Sequence, residues 1–202
     1  MKFYEVTGSL LEPILKVHEW IQEAETESVA LPHAMNLSSV NSEGKPSSRM
    51  VLLKRISPEG LVFFTDYEGN KGKQIQAFPF IALTFWWAKT NKQIRIEGKC
   101  KMVSNEENDQ YFSSRPRGSQ ISASVSLQSQ ELDSYETLVE KSRSFEIEHL
   151  DKEIVRPKRW GGFMVVPESI EFWIDQKNRL HKRELFKKLL IFIINSPYLR
   201  MA

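Results

Sequence analysis

The chain has 202 residues, 41% hydrophobic and 27% charged, which is an ordinary composition for one globular domain with a buried core. Its formal net charge is +2, so no global field points to nucleic acid or a membrane surface as a partner. The single cysteine, Cys100, excludes an intrachain disulfide and a cysteine-based metal cluster, and is typical of a reducing compartment.

The first predicted element is an amphipathic helix over about residues 9–25, where apolar side chains recur at helical spacing and Pro13 falls near the first turn. The N-terminal segment lacks the apolar core of a secretory signal. The longest apolar run, LLIFII at 189–194, is much shorter than the ~20 residues of a membrane span. We therefore expect a soluble, cytoplasmic protein that binds neither membrane nor nucleic acid.

The pattern then changes to short strands with turn signals between them. The strand segments are AMNLSSVN, SSRMVLLKRI, LVFFTDY, FIALTFWWA and QIRIEGKCKMV. Their hairpin-length connections predict an antiparallel sheet that forms a small barrel. Helices are predicted at KQIQAF, NEENDQYFSS and LDSYETLVEKSRSFEIEHL, and a last hairpin at GFMVVPESIEFWI and RLHKRELF. The fold class is therefore α+β, an antiparallel β-barrel with surrounding helices, interpreted as one domain over residues 1–202.

Cys100 belongs to a strand pattern in which it alternates with Ile94, Ile96 and Met102. Residues two apart share one face of a strand, so this thiol is predicted to lie in the core and not to act as a nucleophile. The histidines are scattered without the spacing of metal ligands, and no metal site is expected.

Two early segments carry cations beside apolar residues. In SRMVLLKR (48–55), the odd spacing of Arg49 and Lys54 predicts opposite faces of one strand, and an ordinary strand with solvated ends is the alternative. In EGNKGKQ, Lys71 stands at the start of a helix, where backbone N–H groups and the helix dipole can hold a phosphate. A plain turn explains this loop equally well.

A third segment, YFSSRPRGSQISASVSLQSQ at 111–130, is rich in hydrogen-bond donors. Tyr111 and Arg115 are four residues apart, on one face of a helix that Pro116 ends. No carboxylate follows until Glu131. Donors without acceptors suit a phosphate, and a polar surface loop is the alternative.

The fourth segment, FWIDQKNRLHKR at 172–183, alternates Arg179, His181 and Arg183. A strand would place these three on one face, near the aromatic ring of Trp173. Because like charges repel, the simplest explanation is an anionic ligand that lies across them.

Together these segments resemble the pyridoxamine 5′-phosphate oxidase family, flavoproteins with the FMN-binding split-barrel fold. The matching segments are RMVLLK, VFFT, NKGKQI, YFSSRPRGSQI, QS, WGGF and EFW followed by RLHKR, in the family's order over roughly residues 30–183. The resemblance implies an FMN-dependent oxidase that converts pyridoxamine and pyridoxine 5′-phosphate to pyridoxal 5′-phosphate, with O₂ as acceptor and hydrogen peroxide as product. It also implies a homodimer with FMN at the subunit interface.

By position, the resemblance implies that Arg49 and Lys71 hold the FMN phosphate. The rest of the cofactor site would comprise Met50, Val51, Leu52, Phe64, Thr65, Asn70 and Gln93. The residues that would reach FMN from the second subunit are Gln128, Ser129, Trp173 and Arg183.

The resemblance also implies a substrate site. The substrate phosphate would lie among Lys54, Tyr111, Arg115 and Ser119. Arg179 and His181 would be the catalytic residues over the reacting carbon, with Leu180 as a further substrate contact. Charge-assisted contacts from arginine forks are the expected way to hold such phosphates.

The chain departs from the family's pattern at three positions. Asn70 stands where arginine is common, Ile174 where Gln, His or Gly is usual, and Lys182 where an acidic residue or Asn is usual. The C-terminal segment 184–202 is also atypical. FMN affinity and turnover are the properties that these differences would change.

Two alternatives share the fold. One is a related FMN oxidase of another flat ring, as in phenazine biosynthesis, against which the implied phosphate contacts argue. The other is a homologue that binds flavin or pyridoxal phosphate without turnover, motivated by Asn70, Lys182 and the atypical C-terminal segment.

Overall fold

The computed structural model describes residues 2–6 and 11–188, with the side chains of 2–6 left aside. Its elements in chain order are β1 (Lys2–Val6), α1 (Leu11–Thr26), β2 (Ala34–Val40), β3 (Pro46–Leu52), β4 (Arg55–Ser57), β5 (Gly60–Asp66), α2 (Asn70–Ala77), β6 (Phe80–Trp87), β7 (Lys92–Met102), α3 (Asn105–Ser114), α4 (Arg117–Val125), α5 (Tyr135–Glu148), β8 (Trp160–Ile174), a 3₁₀ turn (Lys177–Arg179) and β9 (Lys182–Lys188). The predicted amphipathic helix is α1, and residues 9 and 10 lie outside the described part.

One curled sheet contains every described strand, in the order β1-β9-β8-β7-β6-β2-β3, with β5 joining β8 and β4 joining β5. Neighbours are antiparallel except β1 and β9, which run parallel. The predicted antiparallel architecture with surrounding helices is therefore confirmed. The parallel β1–β9 pair was not predicted, and the rest of the atypical C-terminal segment, 189–202, lies outside the described residues.

The core lies between the inner face of the sheet and α1. Strand alternation produces it: Ile94 and Ile96 of β7 are fully buried while the residues between them are exposed. From α1, Val17 and Ile21 point into the same cluster. Trp20 packs edge-to-face on Phe172 of β8, with ring centroids 5.0 Å apart, so the helix is fixed to the sheet by aromatic contact.

Two glycines let α2 and β8 approach Tyr67, which follows β5. A Cβ on Gly72 would lie 2.4 Å from the Tyr67 carbonyl oxygen, and one on Gly161 would lie 2.2 Å from its hydroxyl. Neither distance is sterically possible, so only glycine fits at these positions. The close approach holds the first turn of α2, which carries Lys71, against the end of β5.

One helix was not predicted, and two local predictions are wrong. Residues 117–125 form helix α4, where a polar loop was the alternative to a ligand site. Lys54 lies beyond the end of β3, so it and Arg49 are not on opposite faces of one strand. Arg179 belongs to the 3₁₀ turn, and β9 begins only at Lys182, so Arg179, His181 and Arg183 do not share one strand face.

Within the described ranges, no helix combines the length and apolar character of a bilayer span. Nor does this part of the chain place three or more His, Cys, Asp or Glu side chains where they could together hold a metal ion. The interpretation of 1–202 as one domain stays a prediction.

Cys100 is a free, buried thiol, as predicted, and burial raises its pKa to about 12. A thiol reacts as the thiolate, so almost none of Cys100 is reactive at neutral pH. We therefore predict that a thiol reagent such as DTNB labels less than a tenth of the native protein in the time that fully labels protein unfolded in guanidinium. Fast labelling of the native protein, at the rate of the unfolded chain, would contradict this burial.

Candidate active site

A pair of cations lies where β2, β3 and β5 meet α2. We define the Arg49–Lys71 cluster as these two residues with the polar side chains that contact them, namely Ser39, Ser47, Thr65, Gln74 and Gln128. The Arg49 guanidinium donates to the hydroxyls of Ser39 and Ser47, each at 2.6 Å. The paired strands β2 and β3 thus place the Arg49 guanidinium between two serine hydroxyl groups.

The second cation is placed by the start of α2. Lys71 Nζ donates to Thr65 Oγ1 at 2.5 Å and to Gln128 Oε1 at 2.6 Å. The backbone N–H of the neighbouring Asn70 donates to Ser129 Oγ at 3.1 Å. Gln128 and Ser129 therefore contact the Lys71 side of the cluster within their own chain. The expectation that they reach FMN from a second subunit stays a prediction.

The electrostatics of the cluster favour an added anion. Burial lowers the pKa of Arg49 and of Lys71, and the Arg49 charge lowers the Lys71 pKa further, while Asp66 opposes this shift. In the described residues, the hydrogen-bond partners of both cations are neutral oxygens. Two partly buried like charges without a carboxylate partner carry an electrostatic cost that a phosphate would remove.

The backbone beside this cluster is also available. β3 is last in the strand order, and its only strand partner in the described sheet is β2. Met50, Val51 and Leu52 are part of that pairing. Its other edge therefore forms no strand pairing in the described sheet, and its backbone groups can bind a ligand. This arrangement fits the expectation that the three residues contact the cofactor through the main chain.

A second site surrounds a cavity of about 660 Å³ between β4, β5 and α3. Its lining residues are Lys54, Arg55, Phe64, Ser104, Glu106, Glu107, Gln110, Tyr111 and Ser114. Phe64 stacks on Tyr111, with ring centroids 3.9 Å apart, so aromatic surface forms one wall. The predicted substrate residues Lys54 and Tyr111 are thus brought to one cavity.

Arg115 follows Ser114, the last residue of α3 and one of the residues that line this cavity. Its guanidinium lies 4.5 Å from the centroid of the Trp160 ring, and burial lowers its pKa while Tyr111 opposes the shift. Its Nη1 atom is buried and has no hydrogen-bond partner among the described residues. A buried unpaired donor on a charged group costs about 1–3 kcal/mol or more, so this atom is suited to an anionic ligand.

Ser119 lies in the first turn of α4, where its backbone N–H bonds to Pro116. The structure places it one helical turn beyond Arg115 but gives its hydroxyl no contact with the cavity. Its substrate role stays a prediction.

A third arrangement crosses the outer face of the sheet. Trp86, Gln93, Trp173 and Arg183 are consecutive partners in register on β6, β7, β8 and β9, and we call them the outer row. The rings of Trp86 and Trp173 have centroids 5.9 Å apart. The structure therefore brings together three residues predicted from the resemblance, and adds Trp86, which the sequence analysis missed.

The turn before β9 presents the predicted catalytic residues differently from the prediction. His181 Nδ1 lies 2.9 Å from Asp175 Oδ1, and its ring centroid lies 4.6 Å from that of Trp173. Arg179 and Leu180 are exposed on the turn. The same Nδ1 accepts a hydrogen bond from the Gln176 backbone N–H at 3.2 Å, so Asp175 and Gln176 hold the ring by one nitrogen and leave Nε2 as the other polar atom of the ring.

Carboxylates also neutralise the other cations of this segment. Arg183 Nη1 lies 3.3 Å from both carboxylate oxygens of Glu171, and Lys182 lies 3.2 Å from Glu184. The sequence analysis took an anionic ligand as the simplest explanation of this segment, but His181 and Arg183 have carboxylate partners within the chain and do not require one. Sequence reasoning missed Glu171 because its proximity to Arg183 comes from the pairing of β8 with β9, whereas Glu184 lies two residues from Lys182 on β9 itself.

The Arg49–Lys71 cluster and its surroundings also include residues that the sequence analysis assigned to no site. Ser39, Ser47 and Gln74 surround Arg49, and the buried Asp66 and Arg159 form an ion pair beside Lys71. Alternation along β2 and β3 could have indicated that Ser39 and Ser47 share a face with Arg49 only once the pairing of these strands was known.

Comparisons with known proteins show which family the chain is similar to. The chain matches the family description "Pyridoxamine 5′-phosphate oxidase" over residues 21–146 and "Pyridoxine 5′-phosphate oxidase C-terminal dimerisation region" over residues 160–190. It is 46% identical to the pyridoxine/pyridoxamine 5′-phosphate oxidase of Psychromonas ingrahamii, over 87% of this chain and 81% of that protein. For the enzyme so named from Synechocystis, the identity is 41%, over 90% and 88%.

Solved structures extend the comparison. PhzG from Burkholderia lata, in complex with tetrahydrophenazine-1-carboxylic acid, is similar with a TM-score of 0.85 and 28% identity, over 89% of this chain and 88% of that chain. A pyridoxamine 5′-phosphate oxidase-related, FMN binding protein from Nostoc punctiforme shares the fold, with a TM-score of 0.66, 13% identity and coverage of 88% and 98%.

The curled sheet and its two cation sites define a split-barrel protein suited to anionic ligands. The family match and the curated relatives then settle its place: the chain belongs to the pyridoxamine 5′-phosphate oxidase family. The prediction of this family and of the split-barrel fold is confirmed.

The lowered Lys71 pKa makes a prediction about the protein without ligand. Inorganic phosphate should raise the midpoint of thermal unfolding at about pH 7, and this gain should shrink as the pH approaches about 10. Lysine must be protonated to hold the anion, and the Lys71 pKa lies below its ordinary value of 10.5. Thermal scans in phosphate and in chloride of equal ionic strength check this.

The matched variants are Lys71→Arg and Lys71→Ala. Arginine keeps its charge over this range, so Lys71→Arg should retain the phosphate effect at alkaline pH, and Lys71→Ala should lose most of it throughout. Identical pH profiles in all three proteins would mean that phosphate binds elsewhere.

Proposed function

We propose that the protein is an FMN-dependent oxidase that converts pyridoxamine 5′-phosphate and pyridoxine 5′-phosphate to pyridoxal 5′-phosphate, with O₂ as acceptor and hydrogen peroxide as product. The observation that carries this proposal is the buried, unpaired Nη1 of Arg115 beside a cavity that Lys54 and Tyr111 line. The names of the relatives at 41–46% identity support it. We place the activity in the cytoplasm, in keeping with the single cysteine.

The Arg49–Lys71 cluster fits the FMN phosphate. It supplies two cations, hydroxyl and amide groups and the first turn of α2. Among the described residues, the hydrogen-bond partners of the two cations are all neutral. The free edge of β3, with Thr65 and Asn70 nearby, would hold the rest of the cofactor. Bound FMN would supply the hydride-accepting chemistry, with O₂ as the final oxidant, while the residues of this chain would supply orientation and electrostatics.

The second cation site is the proposed phosphate site of the substrate. Arg115, Lys54 and Tyr111 would hold the phosphate, with the hydroxyl of Ser119 as a further donor. Two separate anion sites are what a phosphorylated cofactor and a phosphorylated substrate together require. This division of charge favours a phosphorylated substrate over an unphosphorylated ring.

The turn before β9 would act at the reacting carbon. Asp175 and the Gln176 N–H hold His181 by its Nδ1, so that Nε2 can face the amine or hydroxyl group of the substrate. The exposed guanidinium of Arg179 would keep the amine unprotonated by like-charge repulsion. Leu180 would contact the substrate ring from the same turn.

The match to a dimerisation region over residues 160–190 supports a homodimer. The outer face of the sheet supports the same proposal, because Met50 is 62% exposed and Trp86 is 52% exposed. Large apolar side chains grouped on one face indicate an interaction surface. We propose that FMN lies across this interface, with Trp173 and Arg183 contacting it from the second subunit.

A second candidate is an oxidase of a larger, unphosphorylated ring. The similarity to PhzG, with a TM-score of 0.85, favours it, since that protein was solved with a tricyclic carboxylic acid. Peroxide release from pyridoxine 5′-phosphate, and none from a reduced phenazine carboxylate, would support the B6 oxidase. The opposite pattern would replace it, and a flavin-loaded protein inert to both would support a binding protein without turnover.

Arg115 provides the direct test of the substrate site. We predict that Arg115→Ala raises the KM for pyridoxine 5′-phosphate about ten- to a hundredfold, because a charge-assisted contact of about 1.5–3 kcal/mol is lost. FMN content should stay unchanged, as measured by the flavin absorbance of the purified protein. Arg143→Ala, at an exposed position of α5, is the control and should behave as the wild type. Equal loss of FMN and activity in Arg115→Ala would contradict the assignment.

The shared cofactor site makes a further prediction. Lys71→Ala and Arg183→Ala subunits, each nearly inactive alone, are unfolded and refolded together in equal amounts. Random pairing gives about half heterodimers, and about a quarter of all sites then carry both residues intact. Activity should therefore recover towards about a quarter of the wild-type value. Recovery no greater than the average of the two variants would show that each site is built within one chain.

A further inference from the structure

The side chain of Arg159, one residue before β8, joins two distant segments of the chain. Its Nη1 forms an ion pair with Asp66 Oδ2 at the end of β5. Its Nη2 donates to the carbonyl oxygens of Ala123 at 2.9 Å and Ser124 at 2.8 Å. The pair is buried, with side-chain exposures of 12% for Arg159 and 2% for Asp66.

Ala123 and Ser124 belong to the last turn of α4. Carbonyl groups in the last turn of a helix have no partner within the helix, and the helix dipole makes this end negative. The Arg159 guanidinium satisfies two of them and also meets the dipole with a positive charge. It therefore fixes the position at which the chain leaves α4.

The chain reaches the Arg49–Lys71 cluster a few residues after α4. Gln128 Oε1 accepts from Lys71 Nζ at 2.6 Å, and Ser129 Oγ accepts from the Asn70 N–H at 3.1 Å. Ser129 adopts a φ of 66°, a left-handed conformation that a non-glycine residue rarely adopts. A segment held in this conformation depends on restraints at both ends, and Arg159 supplies the one on the α4 side.

Asp66 supplies the restraint on the other side of the cluster. Its Oδ1 accepts from the Glu68 N–H at 2.8 Å, which shapes the loop that leads into α2 and Lys71. The neighbouring residue, Thr65, accepts a hydrogen bond from Lys71. One carboxylate thus holds both the loop before Lys71 and the arginine that anchors the end of α4.

We infer that Arg159 and Asp66 form a positioning pair that sets Gln128 and Ser129 against Lys71 and thereby determines the affinity for the cofactor's phosphate group. The inference rests on the proposed binding of FMN at the Arg49–Lys71 cluster. Neither residue is assigned a contact with the cofactor. Both act through the segments that they hold.

The pair also controls charge beside Lys71. Asp66 is close enough to influence the Lys71 amine, and Arg159 occupies its second carboxylate oxygen. Without Arg159, the Asp66 carboxylate would be unpaired and would compete with the phosphate for Lys71. The loss of Arg159 therefore both releases the 126–129 segment and adds an internal competitor.

The experiment compares FMN with riboflavin, which has the same ring system but lacks the phosphate. Dissociation constants of both ligands for the protein freed of flavin are measured from the quenching of flavin fluorescence. Arg159→Gln should weaken FMN binding about tenfold or more and change riboflavin binding less than about twofold. Asp66→Asn in the Arg159→Gln background should restore part of the loss, because it removes the competing carboxylate.

Arg156→Gln is the matched control. Arg156 lies three residues earlier, pairs with Asp109 at 2.6 Å and donates to the Trp160 carbonyl at 2.7 Å, but it contacts no member of the cluster. It should lower the unfolding midpoint comparably and leave the ratio of FMN to riboflavin affinity unchanged. Arg159→Lys, which keeps one charge for Asp66, should be intermediate and serves as the test if Arg159→Gln does not fold.

Three results would overturn the inference. Equal weakening of FMN and riboflavin by Arg159→Gln or Arg159→Lys would show a general structural role. An unchanged FMN affinity in these variants would show that the 126–129 segment does not need the pair. The same ratio in Arg156→Gln as in Arg159→Gln would show that any lost ion pair suffices. Equal affinity of the wild type for FMN and riboflavin would instead refute the cofactor site itself.

Discussion

Strand β8 is the constraint on which the rest of the structure depends. Its first half pairs with β5, most of its length pairs with β7, and its last residues also pair with β9. A strand that belongs to three ladders cannot shift by one residue without reversing which face of it is buried. The register of β8 therefore places the Trp160 ring against the Arg115 guanidinium and, at the same time, Trp173 in the outer row.

The two cation sites show how binding capacity and stability oppose each other. Arg49 and Lys71 repel each other in a partly buried setting, and Arg115 keeps a buried donor without a partner. Other cations of the described chain have carboxylate partners, as Lys16 has Glu184 and Arg159 has Asp66. Arg49, Lys71 and Arg115 are partly buried and have no carboxylate among their hydrogen-bond partners in the described residues, and a phosphate would supply the missing negative charge.

Much of the fold could be predicted because alternation and turn signals are local. The pattern of Ile94, Ile96 and Cys100 indicated both a strand and its buried face, and the structure confirms that burial. Helix α4 was missed because its serine-rich sequence resembles a loop, and tertiary contacts such as those of Arg159 stabilise it.

The candidate site was harder to predict in detail. The family resemblance indicated Arg49, Lys71 and Arg115, because the motifs that contain them are contiguous in sequence. It could not show that Arg183 is paired with Glu171, since that contact depends on the register of β8 and β9. Lone sequence patterns show which groups are present, and only the folded chain shows which charges are already neutralised.

The backbone of the turn before β9 is strained at two adjacent residues. Asn178 and Arg179 have φ values of 57° and 59°, in the left-handed region that costs an ordinary side chain about 1 kcal/mol or more. Glycine at the second position would relax the backbone and remove the guanidinium. A substitution that stabilises this turn would therefore remove the Arg179 side chain that the proposed function uses. A thermostable variant with a relaxed turn is expected to lose function.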